Sequence, residues 1–164
     1  MNENVAQEER TPAPEILVLG LGNLLLRDEG AGVHAVRAFQ TCCPAGVLAV
    51  DAGTAVLRVE NLLQSAALII AFDALQAGSA PGTVYASDAS GILDAGVRHS
   101  LHEYGLLQAL QAARNNSVET LILGVEPEVI DYGCDLSAPV QAAIPKMVDL
   151  ALAAIARWHA SRQV

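Results

Sequence analysis

The chain has 164 residues, of which 52% are hydrophobic and 16% charged, and its formal net charge is −9. The length suits one domain with one core, and the hydrophobic content excludes an intrinsically disordered chain. With 9 basic against 18 acidic residues, the chain lacks the cations that sequence-independent nucleic-acid binding and anionic membrane surfaces require. The most apolar strand-like run, Ala66–Phe72, is too short to span a bilayer.

The N-terminal stretch and the cysteines indicate a soluble, cytoplasmic protein. Residues 1–14 are polar and acidic, unlike a signal peptide, and are expected to form a disordered lead-in to a single domain over 15–162. Cys42, Cys43 and Cys134 show no CxxC spacing, which favours a reducing compartment over a disulfide framework.

Short apolar runs alternate with amphipathic stretches along the chain. The runs predict five strands, at Ile16–Gly20, Val47–Val50, Ala67–Phe72, Thr83–Ala86 and Leu121–Val125. Helical patterns of apolar residues lie over 33–40, 56–64 and 106–114. The alternation predicts a single α/β domain, with a twisted, mostly parallel five-stranded sheet and helices on both faces in three layers.

Prolines modify this pattern at two places. Ala80-Pro81-Gly82 predicts a tight turn, after which the fourth strand pairs locally and so becomes antiparallel. A long closing helix should start at Ser137, with Pro139 in its first turn, and Pro145 should break or restart it.

Carboxylates follow several of the predicted strands. In an open α/β sheet, ligands bind beyond the carboxyl ends of the strands, so these side chains should share one edge. Helix solubility alone would not produce such clustering. The residues concerned are Asp28, Glu29, Asp51, Asp73, Glu126 and Glu128.

The first predicted strand ends in a glycine pair that invites a dinucleotide-binding interpretation. Gly20 and Gly22 fit the first two glycines of that fingerprint, but Leu25 stands where the third is needed. A P-loop is excluded, because no Gly-Lys-Ser/Thr sequence is present. The pair is otherwise explained by a tight strand-to-helix turn with unusual backbone angles. A nucleotide-binding Rossmann-like enzyme is therefore the weaker hypothesis.

Three residues from separate loops form a candidate metal or acid–base site. Glu29, Asp73 and His102 should meet at the carboxyl edge, and two carboxylates with one imidazole suit a borderline divalent ion such as nickel or zinc. The alternative is that Asp28 or Glu29 caps the first helix and His102 lies on the surface. His99, three residues before His102, is a weaker candidate.

An ordered series of motifs resembles the maturation endopeptidases of NiFe-hydrogenases. The resemblance covers the chain from about residue 15 to about residue 158. Its motifs are Ile16–Gly32 (ILVLGLGNLLLRDEGAG), Asp51–Thr54 (DAGT), Leu68–Ala74 (LIIAFDA), His102–Leu106 (HEYGL) and Gly124–Glu128 (GVEPE).

The resemblance implies a cytoplasmic, aspartyl-type endopeptidase that removes the C-terminal extension of the hydrogenase large-subunit precursor after nickel insertion. The family's metal-binding and catalytic positions correspond to Glu29, Asp73 and His102 in this chain. The nickel would be supplied by the precursor, and a monomer is the simplest assembly. Whether the carboxylates act as general base or only as metal ligands stays open, as does a nickel-dependent chaperone that does not cut its partner.

Overall fold

The computed structural model describes residues 14–88 and 118–163, and in these residues five strands form one sheet in the order β2-β1-β3-β5-β4. The strands are β1 (Ile16–Leu21), β2 (Val47–Gly53), β3 (Leu68–Ala74), β4 (Val84–Ser87) and β5 (Glu119–Val125). The pairs β1–β2, β1–β3 and β3–β5 are parallel, which confirms the mostly parallel sheet.

The helices of the described residues follow the predicted pattern. A 3-10 turn (Arg27–Gly30) leads into α1 (Ala31–Gln40), and a second (Val56–Val59) leads into α2 (Glu60–Ser65). The closing helix α3 spans Ala138–Ser161. The lead-in predicted over 1–14 lies outside the described residues except for Pro14, as do His99, His102 and the helix predicted over 106–114.

Alternate residues of the strands enter two separate cores. On one face, Val18 and Phe72 pack with α1 and α3, and the rings of Phe39 and Phe72 lie 6.2 Å apart between centroids. On the other face, Leu19 and Ile69 pack with Leu63 of α2. Helices therefore cover both faces of the sheet, as the unalternated apolar strands predict.

Helix α3 runs through Pro145 without a break, so the predicted interruption is wrong. A proline in a helix removes one hydrogen bond, to the carbonyl of Gln141 here, and costs about 3 kcal/mol. Pro145 is exposed. Ile144 and Met147 lie on the opposite, buried side of the helix, where a stripe of apolar side chains packs on the sheet. Burial of that stripe outweighs the lost hydrogen bond. By length and composition α3 could also cross a membrane, but its apolar side is part of the core.

Strand β4 is antiparallel as predicted, but its partner is not local. Val84 lies opposite Val125, so β4 pairs with β5 instead of with the preceding strand. The reason is geometric, because β3 already has β1 on one side and β5 on the other.

The strand order creates a crevice between β1 and β3. In the sheet, β2 lies on one side of β1 and β3 lies on the other, so the connections after β1 and after β2 lead in opposite directions. Such a reversal is the usual ligand position in open α/β sheets, because the connections diverge there. Glu29 lies in the 3-10 turn after β1, and Asp73 is the next-to-last residue of β3, so both predicted carboxylates lie at the end of the sheet where this crevice opens.

Candidate active site

Glycines allow the turn that carries Glu29 to lie against the end of β3. Gly22 has φ +117°, and a Cβ there would collide with the carbonyl of Glu29. A Cβ on Gly32 would collide with the carbonyl oxygen of Phe72, which immediately precedes Asp73. The chain just after Glu29 therefore packs directly on the backbone just before Asp73.

The two predicted carboxylates differ in their surroundings. Asp73 is 1% exposed, and its Oδ1 accepts a hydrogen bond from the Ala74 N–H at 2.8 Å. Glu29 is half-buried in the first 3-10 turn. His102 lies outside the described residues, and within 14–88 and 118–163 no three His, Cys, Asp or Glu side chains converge so as to hold a metal. The full trio stays a prediction.

Asp28, the neighbour of Glu29, does not cap α1. Its Oδ2 accepts the N–H groups of Glu128 and Val129, each at 2.9 Å, and its Oδ1 accepts the N–H of Ser137 at 2.7 Å. Burial by itself would raise the pKa of Asp28, but these hydrogen bonds outweigh it and hold the pKa below its ordinary value. Asp28 thus fixes the loop 126–137 beside the candidate site.

Backbone hydrogen bonds join the same two segments. The Arg27 N–H donates to the Gly133 carbonyl at 2.9 Å, and the Gly133 N–H donates to the Leu25 carbonyl at 3.0 Å. Arg27 has φ +50°, a conformation that costs a non-glycine residue about 1 kcal/mol or more. The hydrogen bonds of this segment with Gly133 oppose that cost, and the next residue, Asp28, is fully buried.

Two other strand-end carboxylates have structural partners. Asp51 forms an ion pair with Arg37 of α1, with Nη2 and Oδ2 2.8 Å apart. The Glu126 side chain accepts hydrogen bonds from the N–H groups of Ala77, Gly78 and Ser79 in the β3–β4 connection and from the hydroxyl of Tyr85 on β4. These residues share the predicted edge, but their partners belong to the protein itself.

Hydrogen bonding also sets the charge of Glu126. Burial would raise its pKa, yet the Tyr85 hydroxyl and the three backbone N–H groups together lower it. The pKa of Tyr85 is raised, first by burial and then by its bond to Glu126. The pair therefore stays an ionised carboxylate bound to a neutral phenol.

The glycine pair is explained by packing within the protein. A Cβ on Gly20 would collide with Val36 and with the Gly32 carbonyl, and Gly22 needs its positive φ. The tight-turn interpretation is confirmed, and the missing third glycine leaves the nucleotide hypothesis without support. The carboxylates at the crevice can bind a cation or accept a proton.

Sequence comparison places the chain in one family. Residues 33–154 match the family model HycI, described as hydrogenase maturation protease. The hydrogenase expression/formation protein HupD of Rhizobium leguminosarum bv. viciae is 36% identical over 155 residues, covering 90% of this chain and 77% of HupD. HoxM of Azotobacter vinelandii is 37% identical over 148 residues, covering 85% and 72%.

Structural comparison agrees with this placement. The hydrogenase maturating endopeptidase HybD from E. coli superposes with a TM-score of 0.78 at 30% identity, covering 87% of this chain and 93% of HybD. The NiFe hydrogenase maturation protease HybD from Thermococcus kodakarensis gives 0.69 at 30% identity, covering 84% and 96%. The fold is that of a maturation protease.

Proposed function

The chain belongs to the hydrogenase maturation protease family, and from this premise we propose that it removes the C-terminal extension of a hydrogenase large-subunit precursor after nickel insertion. The nickel belongs to the substrate, and Glu29, Asp73 and His102 recognise it. The carboxylate and imidazole donors match the preference of a borderline divalent ion.

The single observation that carries this proposal is the position of Glu29 and Asp73 at the β1–β3 crevice. The glycine contacts described above bring the two segments together, and Asp73 is almost fully buried there. A buried carboxylate is tolerated where it meets a cation or hydrogen-bond donors, which suits a residue that contacts a metal.

Hydrolysis adds water across the scissile peptide bond, leaving a carboxylate on the mature subunit and a new amino terminus on the released extension. In one version, Glu29 or Asp73 accepts the proton from the attacking water as general base. In the other version, Glu29, Asp73 and His102 only hold the nickel-bearing precursor in place, and the substrate's nickel would supply polarisation of the scissile carbonyl. If one of these carboxylates is the general base, kcat should fall at acidic pH, where that carboxylate is protonated. This fall should be absent from the variant that replaces the base, Glu29→Gln or Asp73→Asn.

The decisive experiment mixes the purified chain with nickel-loaded precursor and follows the precursor's mass. We expect loss of the extension from nickel-loaded precursor and none from nickel-free precursor. Efficient cleavage without nickel would contradict recognition through the metal. A precursor that is bound but keeps its mass would favour the non-proteolytic chaperone.

Variants of the three residues test their assignment. Glu29→Gln, Asp73→Asn and His102→Ala should each lower cleavage by at least ~100-fold while the circular dichroism spectrum is retained. Glu60→Gln, which removes an exposed carboxylate on α2, is the matched control and should cleave normally. Full activity of His102→Ala would remove His102 from the site.

We also propose a cytoplasmic location, because the spacing of Cys42, Cys43 and Cys134 favours a reducing compartment over a disulfide framework. Fractionation of the source cells, with the precursor as marker, tests this location. A single light-scattering measurement of molar mass would test the expected monomer.

A further inference from the structure

Three large hydrophobic side chains are exposed beside the candidate site. Leu25 is 64% exposed, Ile130 42% and Tyr132 89%, and we refer to these three as the exposed patch. In the described residues, one other large hydrophobic side chain, Leu48 on the edge strand β2, is comparably exposed at 37%. The exposed hydrophobic side chains are thus concentrated at one place.

The exposed patch is one surface built from two loops. Its two loops meet at Gly133, which exchanges backbone hydrogen bonds with Leu25 and Arg27 and follows Tyr132 directly. Asp28 then binds the N–H groups of Glu128 and Val129, just before Ile130. Hydrogen bonds therefore fix the backbone that carries the three residues of the exposed patch.

A fixed, exposed apolar surface with a polar rim is typical of an interaction site, because water disfavours such exposure unless a partner covers it. Glu29 lies two residues from Arg27, so the patch adjoins the edge where the proposed cleavage takes place. Its position beside the candidate site favours the substrate of the proposed cleavage, a polypeptide, as the partner.

The rim has a clear charge. Glu128, Asp131 and Asp135 are exposed on the loop 126–137, which contains no Lys or Arg. The opposing loop contributes Arg27, which is half-buried and donates from Nε to the Asp135 carbonyl at 3.4 Å. An acidic rim around apolar side chains complements a segment in which basic and apolar residues alternate.

We propose that the exposed patch and its acidic rim bind a basic, apolar segment of the hydrogenase precursor, separately from the nickel. This proposal rests on the proposed function for the identity of the partner. Tyr132 and Ile130 supply contact area, and Asp131 and Asp135 attract the basic residues.

The test compares the double variant Ile130→Ser/Tyr132→Ala with Leu48→Ala, which removes an exposed hydrophobic side chain away from the site. For each, the Kd of the nickel-loaded precursor and the KM and kcat of cleavage are measured. We expect Kd and KM of the double variant to rise about tenfold, with kcat within about twofold, while Leu48→Ala changes none of them.

A second pair of variants tests the charge. Asp131→Asn/Asp135→Asn should raise KM and weaken its dependence on salt, whereas Asp149→Asn, an exposed carboxylate on α3, should do neither. An unchanged Kd and KM in the patch variant would overturn the docking proposal while cleavage by the wild type upholds the proposed function. Patch-dependent binding of a precursor that stays uncut would support docking and contradict the proposed function.

Discussion

The Ser137 N–H donates a hydrogen bond to Asp28 Oδ1 at 2.7 Å, although the two residues lie 109 positions apart in the chain. This bond connects the turn that carries Glu29 with the start of α3. Asp28 has no exposed surface, and both of its oxygens bind backbone N–H groups. A residue that the sequence presents as a possible helix cap thus fixes one wall of the site.

Asp28→Asn tests this connection. The asparagine keeps one acceptor oxygen but turns an NH₂ group towards backbone N–H donors, so charge-assisted hydrogen bonds are lost and donors face each other. We expect the free energy of unfolding in urea to fall by about 3 kcal/mol. Asp149→Asn, at an exposed position on α3, should change it by less than about 0.5 kcal/mol. Equal stability of the two variants would show that the Asp28 contacts contribute little.

Glu126 should add to stability in a pH-dependent way. Its pKa in the folded chain is below the ordinary value of 4.5, so the folded state binds fewer protons and stability rises with pH. The contribution is complete above about pH 4.5 and is lost as pH falls through the lowered pKa. At pH 7, Glu126→Gln should be less stable than the wild type by about 2 kcal/mol, and this difference should shrink below pH 4. Urea unfolding of both proteins at pH 7, 5 and 3.5 measures this difference in the free energy of unfolding. A difference that stays constant with pH would contradict the prediction.

Gly32→Ala should damage both stability and activity. The new methyl group would meet the Phe72 carbonyl, and backbone cannot move aside as a flexible side chain can. We expect the free energy of unfolding, measured by thermal unfolding, to fall by about 3 kcal/mol. Cleavage should also be reduced, because the segments that carry Glu29 and Asp73 are pushed apart. Gly46→Ala is the control, since its Cβ would enter open space and only the positive φ costs about 1 kcal/mol. Normal cleavage by Gly32→Ala would mean that this close contact does not position the site.

Pro145→Ala should stabilise the protein. Alanine restores the N–H that can donate to the Gln141 carbonyl, and the side chain at this position is exposed, so no core packing is lost. We expect a gain of about 1–2 kcal/mol, seen as a higher Tm. Lys146→Ala, at the next exposed position, should leave Tm nearly unchanged. A lower Tm for Pro145→Ala would show that the proline fits this helix better than alanine does.

The fold could be predicted largely because its central strands β1 and β3 are buried on both faces. Runs such as Ile16–Gly20 and Ala67–Phe72 carry no polar alternation, and the carboxyl-edge rule then brings Glu29 and Asp73 to the same side. The family resemblance identified the same residues independently.

Other features depend on contacts between distant parts of the chain. The partner of β4 is decided by which strand edge is open once β1, β3 and β5 have paired, and no local motif contains that information. Asp28 accepts hydrogen bonds from residues 100 or more positions away, so no local sequence motif indicates its role. The local rule for proline fails at Pro145 because burial of the opposite side of the helix decides whether the helix continues.

The position of β5 between β3 and β4 has a consequence for synthesis of the chain. A ribosome completes β4 about thirty residues before it begins β5. At ordinary elongation rates this delay is on the order of a few seconds. During that interval β3 lacks its second neighbour and β4 its partner, and the three backbone donors that bind Asp28 have not been made. The candidate site is thus assembled last, and a nascent chain carries Glu29 and Asp73 before the loop that Asp28 binds has been made.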